Sequence, residues 1–265
     1  MAQEFSNIIA IIPAAGHGAR LGSLPFSKEL YPVGFCRSPN GAPLRPKAAC
    51  EYLLEALRLA GIARGFVVIR PEKSDIPAYL GDGRVFGLHL AYIAVAASPS
   101  SAHSVDAVFP FVGDAVVALG FPDILFRPSS MFRTLACHQA NSKADVVLGV
   151  VPTTRPEKAD VLVLDAAGRV SDLIIKPSST DLRQTWAGAV WAPTFTRFLH
   201  DWLSGRGAGD PGAAHGEIFL GDAIRAAIAC GLCVEGVDFA EGAAMDIGTP
   251  DDLEQVLGGA YEFES

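Results

Sequence analysis

A run of tiny residues near the start of the chain is followed by two cations. The apolar β-branched stretch Ile8 to Ile12 reads as a buried strand. It breaks at Pro13 into Ala14-Ala15-Gly16-His17-Gly18, and Arg20 and Lys28 come next. Small residues let backbone N–H groups approach an anion closely, and nearby cations neutralise it. This is the chemistry of holding a nucleoside triphosphate, with Ala14, Ala15, Gly16, His17 and Gly18 as the cradle. Two common phosphate motifs fit poorly. A P-loop needs Lys-Ser/Thr after its second glycine, where this chain has Ala19-Arg20. A dinucleotide fingerprint needs a third glycine, and Leu21 takes that place.

A bound triphosphate calls for a metal, and Mg²⁺ takes hard oxygen ligands, commonly one or two carboxylates beside phosphate oxygens. Asp123 follows the apolar run Ala115–Leu119 through Gly120-Phe121-Pro122. Ligands of open α/β sheets collect at the C-terminal ends of strands. Asp246 ends a strand-like run and precedes a Gly248 turn into a helix, which leaves its carboxylate free to ligate. The plainer alternative makes each acid a turn or capping residue.

The elements that must place these groups alternate along the chain. Strands are expected at Ile8–Ile12, Phe66–Ile69, His89–Ala94, Ala115–Leu119 and Val146–Val151. Helices are expected at Lys47–Ala60, stopped by Gly61, and at Ser130–Gln139. A hairpin (Val161–Leu164 with Val170–Ile175), a strand at Thr185–Trp191, a helix at Asp222–Cys230 and a strand at Val234–Phe239 follow. Thr249 caps a last helix that has Pro250 at its first position and Gly258 after it. The pattern is α/β, read as one domain of 1–265 with a nucleotide half to about 150 and a second half beyond.

The 265 residues carry a net charge of −8, and 19% are charged. A whole-chain electrostatic footprint for nucleic acid is therefore absent. No Lys or Arg precedes the first apolar run, and the most apolar window, 108–126, contains Pro110, Asp114, Pro122 and Asp123. Neither a secretory signal nor a membrane span is expected. Five scattered cysteines fit reduced thiols in the cytoplasm. Cys230-Gly231-Leu232-Cys233 reads as a helix end rather than a zinc site.

The stretches Gly16-His17-Gly18-Ala19-Arg20-Leu21 and Ser27-Lys28-Glu29-Leu30-Tyr31-Pro32-Val33 resemble the signature of the sugar-nucleotide pyrophosphorylases, a family of nucleotidyltransferases. Leu119-Gly120-Phe121-Pro122-Asp123 is similar to their Leu-Gly-Asp segment with two residues inserted. Met245-Asp246-Ile247-Gly248-Thr249-Pro250-Asp251-Asp252-Leu253 is similar to their Asp-Ile-Gly-Thr-Pro ending, and is the most specific match. Ile175-Lys176-Pro177, the strand around Gly188 and the segment from Glu217 to Asp222 fall between these in the family's order.

The resemblance implies a Rossmann-like α/β/α sandwich around a mixed, mostly parallel sheet. It implies Mg²⁺ on Asp123 and Asp246, with Arg20 and Lys28 catalytic at the phosphates. Lys176, Gly188 and Glu217 would bind the sugar phosphate. The implied reaction moves a nucleotidyl group from a nucleoside triphosphate, dTTP or UTP by default, to a sugar 1-phosphate, by default glucose 1-phosphate. A homodimer or homotetramer is the implied assembly. The departures concern recognition. Ser98 stands where the family reads the base with glutamine, His103 replaces a glycine, and Ile175 replaces a sugar-binding glutamate. Two alternatives stay open: cytidylyl or guanylyl transfer to another sugar or alcohol phosphate, and a non-catalytic nucleotide-sugar-binding regulator.

Overall fold

A computed structural model describes residues 5, 7–37, 43–96, 98–205 and 218–259. The elements are β1 (Ile8–Pro13), β2 (Pro32–Cys36), β3 (Arg45–Ala48), α1 (Ala49–Leu59), β4 (Arg64–Ile69), α2 (Asp75–Leu80), β5 (His89–Ala94), α3 (Ser101–Asp106), α4 (Phe109–Val112), β6 (Val116–Gly120) and β7 (Ile124–Arg127). They continue with α5 (Met131–Ser142), β8 (Val146–Pro152), β9 (Asp160–Leu164), β10 (Val170–Ile175), β11 (Gln184–Trp191), α6 (Pro193–Ser204), α7 (Leu220–Ala229), β12 (Val234–Asp238), β13 (Ala243–Asp246) and α8 (Pro250–Leu257).

Nine strands form the central sheet. β5, β4, β1 and β6 run parallel side by side, and β11 joins β6 antiparallel. β11 then pairs with β8, which is flanked by β12, while its start also meets the β9–β10 hairpin at Thr185. β1 lies at the centre, so both of its faces are covered. Ile8, Ala10 and Ile12 face the core built with α1, α2 and α5. Ile11 faces the second core, built with α3, α4, α6 and α7. The result is the expected α/β/α sandwich. A third, smaller cluster of Val33, Ala49, Leu125, Ile247 and Val256 seats α8 and two short antiparallel ribbons, β2–β3 and β7–β13. Among the described residues no helix is long and apolar enough to cross a membrane.

Three glycines set how closely one helix approaches the sheet. Gly188 of β11 lies opposite Gly120 of β6 on one side and Gly149 of β8 on the other. A Cβ at Gly188 would stand 2.9 Å from Phe132 Cζ, and one at Gly149 would stand 2.7 Å from Met131 Sδ. At Gly120 it would meet Phe132 Cζ of α5 at 3.0 Å, and Leu53 Cδ1 of α1 at 2.2 Å. The start of α5 therefore lies in a trough that side chains would fill.

Several element boundaries differ from the expectation. The first helix starts at Ala49, because Lys47 and Ala48 belong to β3 and pair with β2. α7 starts at Leu220, and the Asp222 carboxylate accepts from Phe219 N at 2.8 Å within its first turn. The helix α6 and the short strands β2, β3, β7 and β13 were not anticipated. Gly61 ends α1 with φ +77, and Cys230-Gly231 ends α7 with Gly231 at φ +90, both as expected. Gly188→Ala is expected to cost about 1–3 kcal/mol of stability through overpacking. The urea midpoint should fall, and Phe132→Leu in the same chain should recover part of the loss. An unchanged midpoint would mean that α5 does not press on the sheet at this point.

Candidate active site

The cradle begins where β1 ends. Ala14 N still donates to Val68 O of β4 at 2.7 Å, and Ala14 and Ala15 are buried, so no larger side chain fits there. Gly16 and His17 are exposed. Gly18 has φ +66 and opens the short turn Ala19–Leu21, whose Leu21 N donates to Gly18 O at 3.1 Å. Such a positive φ favours glycine. This turn presents Arg20. The chain then loops to a second turn, Lys28–Leu30, in which the Lys28 side chain is only 11% exposed. A cleft of about 370 Å³ lies between this loop and residues 72–75, lined by His17, Gly18, Phe26, Lys28, Glu72 and Ser74 among others.

Two acids reach the same place from the opposite side. Asp123 leaves β6 just before β7, and Asp246 ends β13. The β7–β13 register sets Asp246 opposite Ile124, and Ile247 N donates to Asp123 O at 3.0 Å. Backbone pairing thus brings the two acids together. Lys28 Nζ forms an ion pair with Asp123 Oδ2. Arg20 Nη2 lies 3.7 Å from Asp246 Oδ2, and Gly248 N donates to Asp246 Oδ1 at 2.7 Å.

The electrostatics follow from this grouping. Lost hydration together with the Asp123 charge raises the Asp246 carboxyl above the usual range, against the pull of Lys28 and Arg20. Burial alone would lower the Lys28 ammonium, but Asp123 and Asp246 outweigh it, and Lys28 titrates above its ordinary value. Two adjoining carboxylates are hard-oxygen donors of the kind Mg²⁺ accepts beside phosphate oxygens. Among the described residues no group of three or more His, Cys, Asp or Glu is arranged to hold a metal without such help.

The other sequence-derived candidates have diverse settings. Lys176 has φ +41, and its ammonium sits 3.5 Å from the centre of the Phe219 ring. Gly188 is buried under Phe132. Ser98 Oγ bonds to Ser104 Oγ at 2.6 Å and donates to Ser100 O at 2.9 Å. His103 Nδ1 bonds to Ser100 Oγ at 2.8 Å. Both therefore belong to the capping network of α3. Glu217 lies outside the described residues.

Sequence reading missed several neighbours. Arg70 follows β4 directly and reaches His17, with Nη1 and Nε2 2.8 Å apart. Its position after Ile69, at the C-terminal end of a parallel strand, is the signal that would have found it. Asp252 is buried, pairs with Arg155, and lies 3.2 Å from Lys158 Nζ. It thereby ties the loop after β8 to the segment following Asp246.

A family model for nucleotidyl transferases matches residues 9–259. The chain belongs to the nucleotidyl transferase family. Curated relatives of this family member include the low-salt glycan biosynthesis nucleotidyltransferase of Haloferax volcanii, 24% identical over 227 residues, with 85% of this chain and 60% of the relative covered. Glucose-1-phosphate thymidylyltransferases of Neisseria gonorrhoeae and Streptomyces antibioticus are 31% and 26% identical. Those matches cover 67% and 93% of this chain, and 58% and 64% of the relatives. The nucleotidyl transferase chain thus spans about three fifths of the length of these relatives. A crystal structure from Bacillus anthracis, described as a candidate glucose-1-phosphate thymidylyltransferase in complex with a sucrose, superposes with a TM-score of 0.78. It is 18% identical, and 97% of this chain and 98% of that one are covered, a likeness of fold.

A raised folded value means that ionised Asp246 lowers the stability of this nucleotidyl transferase family member at neutral pH. That penalty fades as the pH falls through the folded value. Asp246→Asn keeps an acceptor oxygen and is expected to raise the thermal midpoint at neutral pH. The gain should be on the order of 1 kcal/mol or less, since the side chain is 42% exposed. The advantage should vanish in acid buffer. A lowered midpoint at neutral pH would contradict this reading of the charge pair.

Proposed function

We propose that the chain transfers a nucleotidyl group from a nucleoside triphosphate to a sugar 1-phosphate and releases pyrophosphate. The observation that carries this reading is the meeting of four charges at the C-terminal edge of the sheet: Arg20 and Lys28 with Asp123 and Asp246. The two glucose-1-phosphate thymidylyltransferases among the relatives favour dTTP as donor and glucose 1-phosphate as acceptor, with UTP as the nearest variant. The scattered thiols suit a cytoplasmic setting, and a homodimer or homotetramer remains part of the proposal.

In this reading the sugar phosphate oxygen attacks the α-phosphorus in line with the departing pyrophosphate. That oxygen is already anionic near neutral pH, so no strong general base is required. Catalysis then rests on positioning and on neutralising charge. The small residues 14–18 admit the phosphates to backbone N–H groups. Arg20 and Lys28 stabilise the charge that develops on the transferring and leaving groups. To do so Lys28 exchanges the Asp123 carboxylate for a phosphate oxygen. Asp123 and Asp246 would hold Mg²⁺, which when bound offsets repulsion between the two anionic substrates. Lys176, steadied against the Phe219 ring, is assigned to the sugar phosphate, with Gly188 and Glu217 on the sugar side. Ser98 and His103 are assigned to base recognition. Both bond within the cap of α3 through Ser100, so reading a base would require those bonds to be exchanged.

The test is pyrophosphate release with Mg²⁺ across dTTP, UTP, CTP, GTP and ATP against a set of sugar 1-phosphates. Release should require both substrates and stop with EDTA. Arg20→Ala or Lys28→Ala should lower turnover by roughly 10²–10³, the scale of a lost transition-state donor. Absence of release with every pair, in a folded protein that binds a nucleotide sugar, would overturn the transferase in favour of a regulator.

A further inference from the structure

Lys28 sits on a loop, yet the residues on either side of it are fixed to one neighbouring segment. Ser27 donates twice to Asp75, from its backbone N at 2.6 Å to Oδ2 and from its hydroxyl at 2.7 Å to Oδ1. On the other side, the buried Glu29 carboxylate accepts from Lys73 Nζ at 2.7 Å, with side-chain exposures of 3% and 11%. Its second oxygen, Oε2, is buried without a hydrogen-bond partner. A buried carboxylate oxygen left in this way is costly, and the pairing that retains it must be over-determined by its surroundings.

The segment that supplies both partners is itself anchored. Asp75 opens α2, whose Ile76 and Leu80 are buried in the core beside β4. Lys73 N donates to Arg70 O, and Ile76 N donates to Lys73 O, which closes the turn between β4 and α2. A lysine has a flexible four-carbon stem, so the position of its ammonium depends on what fixes its backbone. We propose that Asp75 and the Glu29–Lys73 pair are positioning residues for Lys28, clamping the turn on both sides and setting where its ammonium stands. The inference rests on the reading of Lys28 as the phosphate-neutralising cation. Ser27, Lys73 and Asp75 also line the cleft beside Lys28, so labelling without substrate separates positioning from contact.

The experiment has two arms. In the free protein, acylation by acetic anhydride is followed lysine by lysine by peptide mass spectrometry. Asp75→Ala is expected to raise the labelling rate at Lys28 about tenfold, since its ammonium leaves a protected site. Buried Lys47, paired with exposed Glu55 and with none of the clamp residues, and exposed Lys143 should keep their rates. No rise at Lys28 overturns the clamp. So does a rise at Lys47 equal to that at Lys28 in both Asp75→Ala and the milder Asp75→Asn.

In turnover, Asp75→Ala should lower kcat about 10–100-fold, the scale of a lost supporting hydrogen bond. Added to Lys28→Ala it should cost less than about threefold, because both changes act through one group. Equal losses in the two backgrounds overturn the proposal. The labelling arm needs no turnover. A chain inert toward every substrate pair therefore refutes nucleotidyl transfer, while Lys28 labelling still decides the clamp.

Discussion

Two carboxylates repel when they share a confined space, and a fold that places them together must hold them there. In this chain the force is backbone pairing. The β7–β13 ribbon sets Asp246 opposite Ile124, next to Asp123, and Ile247 N bonds to the Asp123 carbonyl. The hydrophobic cluster of Leu125, Ile247 and Val256 seats that ribbon against α8. The cost appears in the raised Asp246 carboxyl, and Lys28 and Arg20 offset part of it. The position of the loop after β1 follows, because its two cations settle where the acids are.

The large sheet matters to this arrangement mainly as a rigid edge. β1 and β6 are adjacent and parallel, so the cradle after Pro13 and the acid after Gly120 emerge at the same end. Close packing of α5 over Gly120, Gly188 and Gly149 leaves little room for β6 to shift. Gly188 thus has a packing reason for being glycine.

The central strands and the start of α8 were legible in the sequence, since their signals are local. A β-branched run marks β1, and Thr249-Pro250 marks the helix after it. Asp123 is marked by the readable run of β6 before it and Asp246 by the Gly248 turn and capped helix after it, whereas Arg20 and Lys28 lie in short turns with no periodic signal. The short strands β3, β7 and β13 carry too few residues for a period and exist through distant partners. Asp75 and Arg70 were invisible because their partners lie 48 and 53 residues away in the chain. α6 is a different case. Phe195, Leu199 and Leu203 recur at a spacing of four and Pro193 opens the helix, so its signal is local although the expected elements lack it.

The mutual neutralisation of Arg20, Lys28, Asp123 and Asp246 has a consequence for encounter rates. Two positive and two negative side chains cancel at the mouth of the cradle, and the whole molecule carries −8. A polyanion approaching from solution meets no attractive long-range field. Its arrival is governed by diffusion and by weak repulsion that added salt screens. Attraction begins at contact range, once an incoming oxygen can take the place of a carboxylate beside Lys28. On the proposed reading, discrimination among anions is exercised at contact rather than on the way in.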